Sequence, residues 1–359
     1  MTSSATHGSS IRRSRSGMAL VATAALLASS ATAHAQLTYN TFVSGASLSG
    51  LLGNNATIGF AYGVDKFVGS VYNGANNNQL YAVDIDGTNI RKFGSPIPGA
   101  SGELYVSSSI GLGGFAPHDI FVGSEANGNV YRVSSDGSTV SLFASGLGGG
   151  VRSIAFDPYG LYGNDMIVAT NAGNVYQIDN TGAKTLLASF SEDAEGLSFA
   201  PQIFGTMAKG TLVVASEGSG NLRRIDNPGI FSVFATVPSA EMVSFVPLNL
   251  GASGNPVEGF YAAEYPNQIV KVDASEFTPY IGDIVVTGET TGRVSSVHWD
   301  GSKYVTTDIS GFPGQPEDGI FVTADLVRIT STPEPATLAL MAPGALLLGG
   351  IARRRNNKK

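Results

Sequence analysis

A short segment recurs along this chain at a nearly fixed interval, and the interval restricts what the chain can fold into. It reads GNVYRV at Gly128–Val133, GNVYQID at Gly173–Asp179 and GNLRRID at Gly220–Asp226. Looser copies are NQLYAVD at Asn78–Asp84, NQIVKVD at Asn267–Asp273 and DLVRI at Asp325–Ile329. Each has a polar or Gly turn followed by alternating apolar and polar residues, the period-2 pattern of a strand with one buried face. The starts at Gln79, Asn129, Asn174, Asn221, Gln268 and Asp325 are 50, 45, 47, 47 and 57 residues apart. A period in the forties built of strands predicts a β-propeller.

Four strands can be laid out around each copy. A d strand follows at Thr139–Ala144, Lys184–Ala188 and Phe231–Ala235, and a b strand precedes at Asp119–Ser124, Asp165–Thr170, Thr211–Ser216, Gly259–Ala263 and Lys303–Thr307. An a strand comes earlier still, at Glu103–Ser108, Arg152–Phe156, Gly196–Phe199, Met242–Val246 and Val294–Trp299. Asp65–Ser70 (DKFVGS) mirrors Asp119–Ser124 (DIFVGS), which places a first blade before these. The sixth blade has a c strand at Asp325–Ile329 but no room for a d strand before Pro333. Thr41–Gly45 (TFVSG) is similar to Leu142–Gly146 (LFASG), a d-strand ending. Residues Leu37–Ser44 are therefore expected to supply the outer strand of the last blade, closing an all-β six-bladed ring and removing open sheet edges.

The two ends differ in kind from the repeats. Arg12, Arg13 and Arg15, the apolar run Met18–Leu27 and Ala33-His34-Ala35 have the order of a signal peptide cleaved between Ala35 and Gln36. At the other end Pro333-Glu334-Pro335 precedes the apolar run Ala336–Ala352 and then Arg353, Arg354 and Arg355. That run is at the short limit for a transmembrane helix, and the basic tail would stay on the cytoplasmic side. The expected organisation is residues 1–35 as signal peptide, 36–330 as propeller and 331–359 as a sorting tail with one C-terminal transmembrane helix. A propeller of about 295 residues is large enough to be well buried. With no Cys in the sequence, its stability comes from packing and strand closure. The net charge of −7 argues against nucleic acid as a partner.

The three-part tail resembles the PEP-CTERM sorting signal. That resemblance implies a Gram-negative bacterium, an exosortase as processing partner, and an intermediate anchored in the inner membrane through the C-terminal helix. It further implies a final place at the cell surface or in an exopolysaccharide matrix. A plain membrane anchor is the other reading of the same residues. The strand pattern over Thr57–Thr330 resembles the six-bladed propellers of the NHL, TolB-like and gluconolactonase/regucalcin-like group.

The candidate functional residues are acidic. Glu103, Glu195 and Glu241 begin a strands, while Glu125, Glu217, Glu264 and Asp308 stand just past b strands. Adjacent antiparallel strands put the start of one and the end of the next on one face, so these carboxylates should gather at one mouth of the central channel. Clustered carboxylates repel unless protons or cations offset them, and such hard ligands suit Ca²⁺ or Mg²⁺. The gluconolactonase-like resemblance implies a divalent ion there, with Glu195, Glu241 and Asn171 at the ligand positions and Glu103 and Glu217 beside them. Two other readings stay open: solvated turn acids, or a structural ring paired with Arg152. His118 and His298 lack a nucleophile-elbow motif, and Phe312–Gly319 reads as a face loop. The expected role is a binding or structural protein of the envelope or matrix, the alternative a divalent-metal-dependent hydrolase or lactonase.

Overall fold

A computed structural model describes residues 36–72, 78–226 and 229–328. The cleavage site at Ala35, the apolar run Ala336–Ala352 and the sorting residues Pro333, Glu334, Pro335, Arg353, Arg354 and Arg355 are not covered by it, in whole or in part. Among the described residues no helix is long and apolar enough to cross a membrane.

The described strands form six four-stranded antiparallel sheets, the blades of a propeller. Blades one to four follow the chain in order, each from an inner to an outer strand. Blade one comprises Thr57–Tyr62, Lys66–Val71, Leu80–Asp84 and Arg91–Phe93. Blade two comprises Leu104–Ser108, Ile120–Ser124, Val130–Val133 and Val140–Ala144. Blade three comprises Val151–Phe156, Met166–Thr170, Asn174–Ile178 and Lys184–Ser189. Blade four comprises Leu197–Phe199, Leu212–Ala215, Asn221–Asp226 and Ile230–Thr236.

The repeat has a local cause. Gly128, Gly173 and Gly220, ahead of the third strands, sit at φ of 63°, 78° and 70°, a left-handed turn that favours glycine. The shared glycine of DKFVGS and DIFVGS makes room for a neighbour: a Cβ on Gly69 would lie 2.4 Å from the hydroxyl of Tyr81 on the next strand of its sheet, and one on Gly123 would meet Val151 of the next blade at 2.2 Å.

Blades five and six are interleaved, which differs from the sequence expectation. The inner strand of blade five is Ala240–Phe245, but the chain then crosses to blade six and lays down its second and third strands, Gly259–Tyr265 and Gln268–Asp273. It returns to blade five for Ile284–Gly288, Arg293–Trp299 and Tyr304–Gly311, and crosses again to form the inner strand of blade six, Gln315–Val322. Val294–Trp299 is thus a third strand rather than an inner one, and Lys303–Thr307 lies mostly in an outer strand. Much of the expected face loop Phe312–Gly319 lines the axis as strand. The expected strand at Asp325–Ile329 is instead a short helix, α2, at Ala324–Arg328. Alternation identifies a strand but not its partner, so a hairpin inserted between two blades looks locally like the next repeat.

The closure itself follows the expectation. Asn40–Val43 is the outer strand of blade six and pairs antiparallel with Gln268–Asp273, Asn40 opposite Lys271 and Thr41 opposite Val270. The helix Gly45–Leu52 (α1) follows at once; Ser44 caps it by accepting from the Ser47 N–H, and Gly53 ends it at φ 74°. Leu48 and Leu52 are fully buried under Val43, Phe67 and Tyr261, which ties the N-terminal segment to the first and last blades.

Candidate functional site at the channel mouth

The inner strands surround a cavity of about 330 Å³ on the propeller axis. Its two ends differ chemically because the inner strands run in one direction: in blades three, five and six charged residues stand near the starts and phenylalanines near the ends, whereas the inner strand of blade two ends in Ser107 and Ser108. Arg152, Glu195, Glu241 and Glu317 line the end where the inner strands begin. Phe156, Phe245, Phe321 and Leu326 line the other, where Leu326 of α2 lies against the opening. Blade one contributes no acid at the mouth. A Cβ on its Gly59 would come within 2.6 Å of the Leu104 carbonyl, so blades one and two approach too closely there for a side chain.

The structure divides the predicted acids into two groups. The first surrounds Arg152. Its guanidinium pairs with Glu103 through Nη1, with Glu125 Oε1 at 3.3 Å through Nη2, and with Glu195 Oε1 at 3.3 Å through Nε. Nη1 also donates to the Tyr105 hydroxyl at 3.0 Å, and that hydroxyl donates to Glu103 Oε2 at 2.8 Å. Burial works against the Arg152 charge, but Tyr105, Glu195 and Glu103 outweigh it and raise its pKa, so Arg152 stays a cation. The Arg-paired reading of the sequence therefore describes Glu103, Glu125 and Glu195.

The second group has no ion-pair partner among the described residues. Carboxylate oxygens of Glu217, Glu241 and Glu289 lie within 4.8 Å of one another. Gln315 Nε2 donates to Glu289 Oε1 at 2.5 Å and to Glu317 Oε1 at 2.8 Å, linking this group to the inner strand of blade six. Burial, then the charges of Glu195, Glu317 and Glu289, push the Glu241 carboxyl well above the usual range. Burial raises Glu317 to about 9 and Glu289 to about 7, the latter helped by its hydrogen bond with Glu217. Each of these shifts reports a carboxylate short of positive charge.

The remaining predicted residues have local partners. Asn171 Oδ1 accepts from the Gly150 N–H at 2.9 Å, securing the turn of blade three. Glu264 accepts from Asn267 Nδ2 at 3.1 Å and Gln268 Nε2 at 2.6 Å. Asp308 lies on the outer strand of blade five, paired with Arg293 and hydrogen-bonded by Ser295 at 2.8 Å. Of the histidines, His298 bonds Asp283 at 2.8 Å and His118 lines the apolar end of the cavity.

Sequence reasoning missed Glu289 and gave Glu317 no role at the axis. The signal for Glu289 was present: Gly288–Gly292 (GETTG) has the form of Ser124–Gly128 (SEANG) and Ser216–Gly220 (SEGSG), with Glu second and Gly last. In all three this is the turn between the second and third strands of a blade. Glu317 was hidden by the interleaving of blades five and six.

No protein-family model matches the chain, and no curated protein matches it in sequence. Among solved structures, 763 chains match, so the fold is too widely shared to indicate an activity by itself. They include the nidogen/laminin complex (13% identity, 73% of this chain and 83% of that one, TM-score 0.49) and streptogramin B lyase (12%, 77% and 74%, 0.49). A third is the PQQ-bound aldose sugar dehydrogenase of Streptomyces coelicolor, at 13% identity over 78% of this chain and 88% of that one, TM-score 0.52. At this identity the third likeness bears on the fold alone.

Proposed function

We propose that the chain is an exported, surface-sorted propeller that binds its ligand in the axial cavity through the acidic mouth. The supporting observation is the cavity itself: about 330 Å³, within the size range of small-ligand sites, with buried carboxyls at one end and an apolar floor. Export and sorting rest on the signal-peptide pattern of residues 1–35 and the PEP-CTERM-like tail, with an exosortase as processing partner and a surface polymer such as exopolysaccharide nearby. Replacing Glu334 or deleting 353–359 in an exosortase-bearing host tests this. Accumulation should move away from the surface fraction, and unchanged fractionation would refute the sorting reading.

The second reading, a divalent-metal-dependent hydrolase or lactonase, is favoured by the carboxylate convergence. Glu217, Glu241 and Glu289 supply hard oxygen donors of the kind Ca²⁺ or Mg²⁺ takes, whereas Asn171 is committed to Gly150. A bound ion would act there as a Lewis acid, and the chain's own part is to hold three carboxylates in place from blades four and five. Thermal melts with calcium and with chelator, beside a lactone and ester panel, separate the readings. Turnover that chelator abolishes selects the hydrolase; no turnover in either condition selects binding.

A further inference from the structure

The lining of the axial cavity specifies a ligand more closely than its acidity does. Glu195, Glu241 and Glu317 all line it and are 3%, 6% and 5% exposed. Glu195 Oε2 is buried with no hydrogen-bond partner. Among the described residues the Glu241 carboxyl has neither a hydrogen-bond donor nor an ion-pair partner. Glu317 has one donor, Gln315 Nε2 at 2.8 Å. Among the described residues the one cation lining the mouth, Arg152, is already shared among Glu103, Glu125 and Glu195. Buried carboxyls left in this condition are costly unless a proton or a cation meets them.

Beyond the acids the wall changes character. From Glu241 the inner strand of blade five continues to Phe245, four residues or about 13 Å of strand. Phe156, Phe245 and Leu326 surround the far end. A bare metal ion would leave Phe156, Phe245 and Leu326 without a partner, and Ser108, Ser109 and His118 share that end with them. An ammonium group can donate to Glu241 and Glu317 together, with a third N–H left for water or a backbone carbonyl, and can carry an apolar body.

We propose that the axial cavity binds a small protonated primary amine, its ammonium group held by Glu241 and Glu317, which line the cavity from neighbouring inner strands, and its apolar body directed toward Phe245 and Leu326. This rests on the reading of the channel as a binding site and names the ligand class for it.

Calorimetric titration of the full chain at neutral pH tests the assignment, with n-hexylamine, 1-hexanol and calcium chloride as probes. Hexylamine should bind with release of protons from the carboxyls, seen as a binding heat that changes with the buffer's ionisation enthalpy. Hexanol should bind at least about tenfold more weakly, because the alcohol has no charge to replace the protons that Glu241 and Glu317 hold. Glu241→Gln and Glu317→Gln should each weaken the amine by about tenfold or more, the loss expected of a buried charge-assisted hydrogen bond. Leu326→Trp should weaken hexylamine, and the far-ultraviolet spectrum should match that of the parent in all three variants. Equal binding of alcohol and amine, or unchanged amine binding in both Gln variants, overturns the proposal. Calcium binding without amine binding overturns it too, but leaves the mouth as a metal site. Binding of none of the probes overturns the amine assignment and removes the acidic mouth's support as a cation-binding site.

Discussion

Truncating the closing strand measures how far this propeller depends on its N-terminal segment. The perturbation is Phe42→Ala with Val43→Ala. Phe42 is half-buried, with its ring 4.8 Å from that of Tyr261, 5.0 Å from Phe67 and 6.2 Å from Phe60. Val43 is 2% exposed and belongs to the cluster shared by the first and last blades. A fully buried Phe→Ala change costs about 3–5 kcal/mol, so a half-buried ring costs about 2–3. Losing most of a buried Val side chain adds about 1–2 kcal/mol. Neighbouring changes do not add strictly, so the pair should cost about 3–5 kcal/mol, against a usual total of about 5–15. In a domain of this size each kcal/mol lowers the melting temperature by about 2 °C, giving a fall of about 6–10 °C. Circular dichroism melts of parent and variant provide the assay. Thr41→Ala is the control: its exposed hydroxyl donates to Gln268 Oε1 at 2.8 Å, and its loss should cost no more than about 0.5 kcal/mol. A double variant that melts with the parent, or a control that falls as far, would refute the closure argument.

Two further outcomes follow from the mouth. Arg152→Met leaves Glu103, Glu125 and Glu195 without their cation; the Arg152 side chain is 23% exposed, so the loss should be about 1–3 kcal/mol, below the cost of breaking a fully buried pair. The denaturation midpoint at pH 8 should fall, and an unchanged midpoint would show that the carboxyls are neutralised by other means. Glu289 and Glu317, raised to about 7 and about 9 from 4.5, keep protons in the folded state that the unfolded chain has released. Their contribution to stability is therefore complete below about pH 4.5 and is lost as pH rises through 7 to 9. The melting temperature should be lower at pH 9 than at pH 6, and Glu317→Gln should reduce that difference; a variant with the parental pH dependence would contradict the assignment.

Most of the fold was legible in the sequence because the repeat is a local signal. Left-handed glycines stand before the third strands of blades two to five, and room-making glycines in the second strands of blades one and two. The N-terminal closure was legible for a similar reason, since Thr41–Gly45 carries the ending of an outer strand. The interleaving of blades five and six was not. Arg293–Trp299 has the same alternation whether it stands first or third in a sheet, and only long-range pairing with Ile284–Gly288 decides. The site followed the same division. Glu103, Glu195, Glu217 and Glu241 could be placed at the mouth from strand order, but their separation into an Arg152 group and a group with no ion-pair partner among the described residues depends on side-chain directions. Glu317 could not be placed until Gln315–Val322 was known to be the inner strand of blade six.

The most direct test of the channel as a binding site uses its own methionine. Met242 lines the cavity, whereas Met166 and Met207 are buried in other clusters, between blades two and three and between blades four and five. With ¹³C-methyl methionine in the full chain and Met242→Leu to assign its signal, n-hexylamine can be titrated at neutral pH. The account predicts a saturable shift of the Met242 methyl while Met166 and Met207 stay in place. A Met242 signal that does not move while the amine binds, or shifts of equal size at all three methyls, would contradict it.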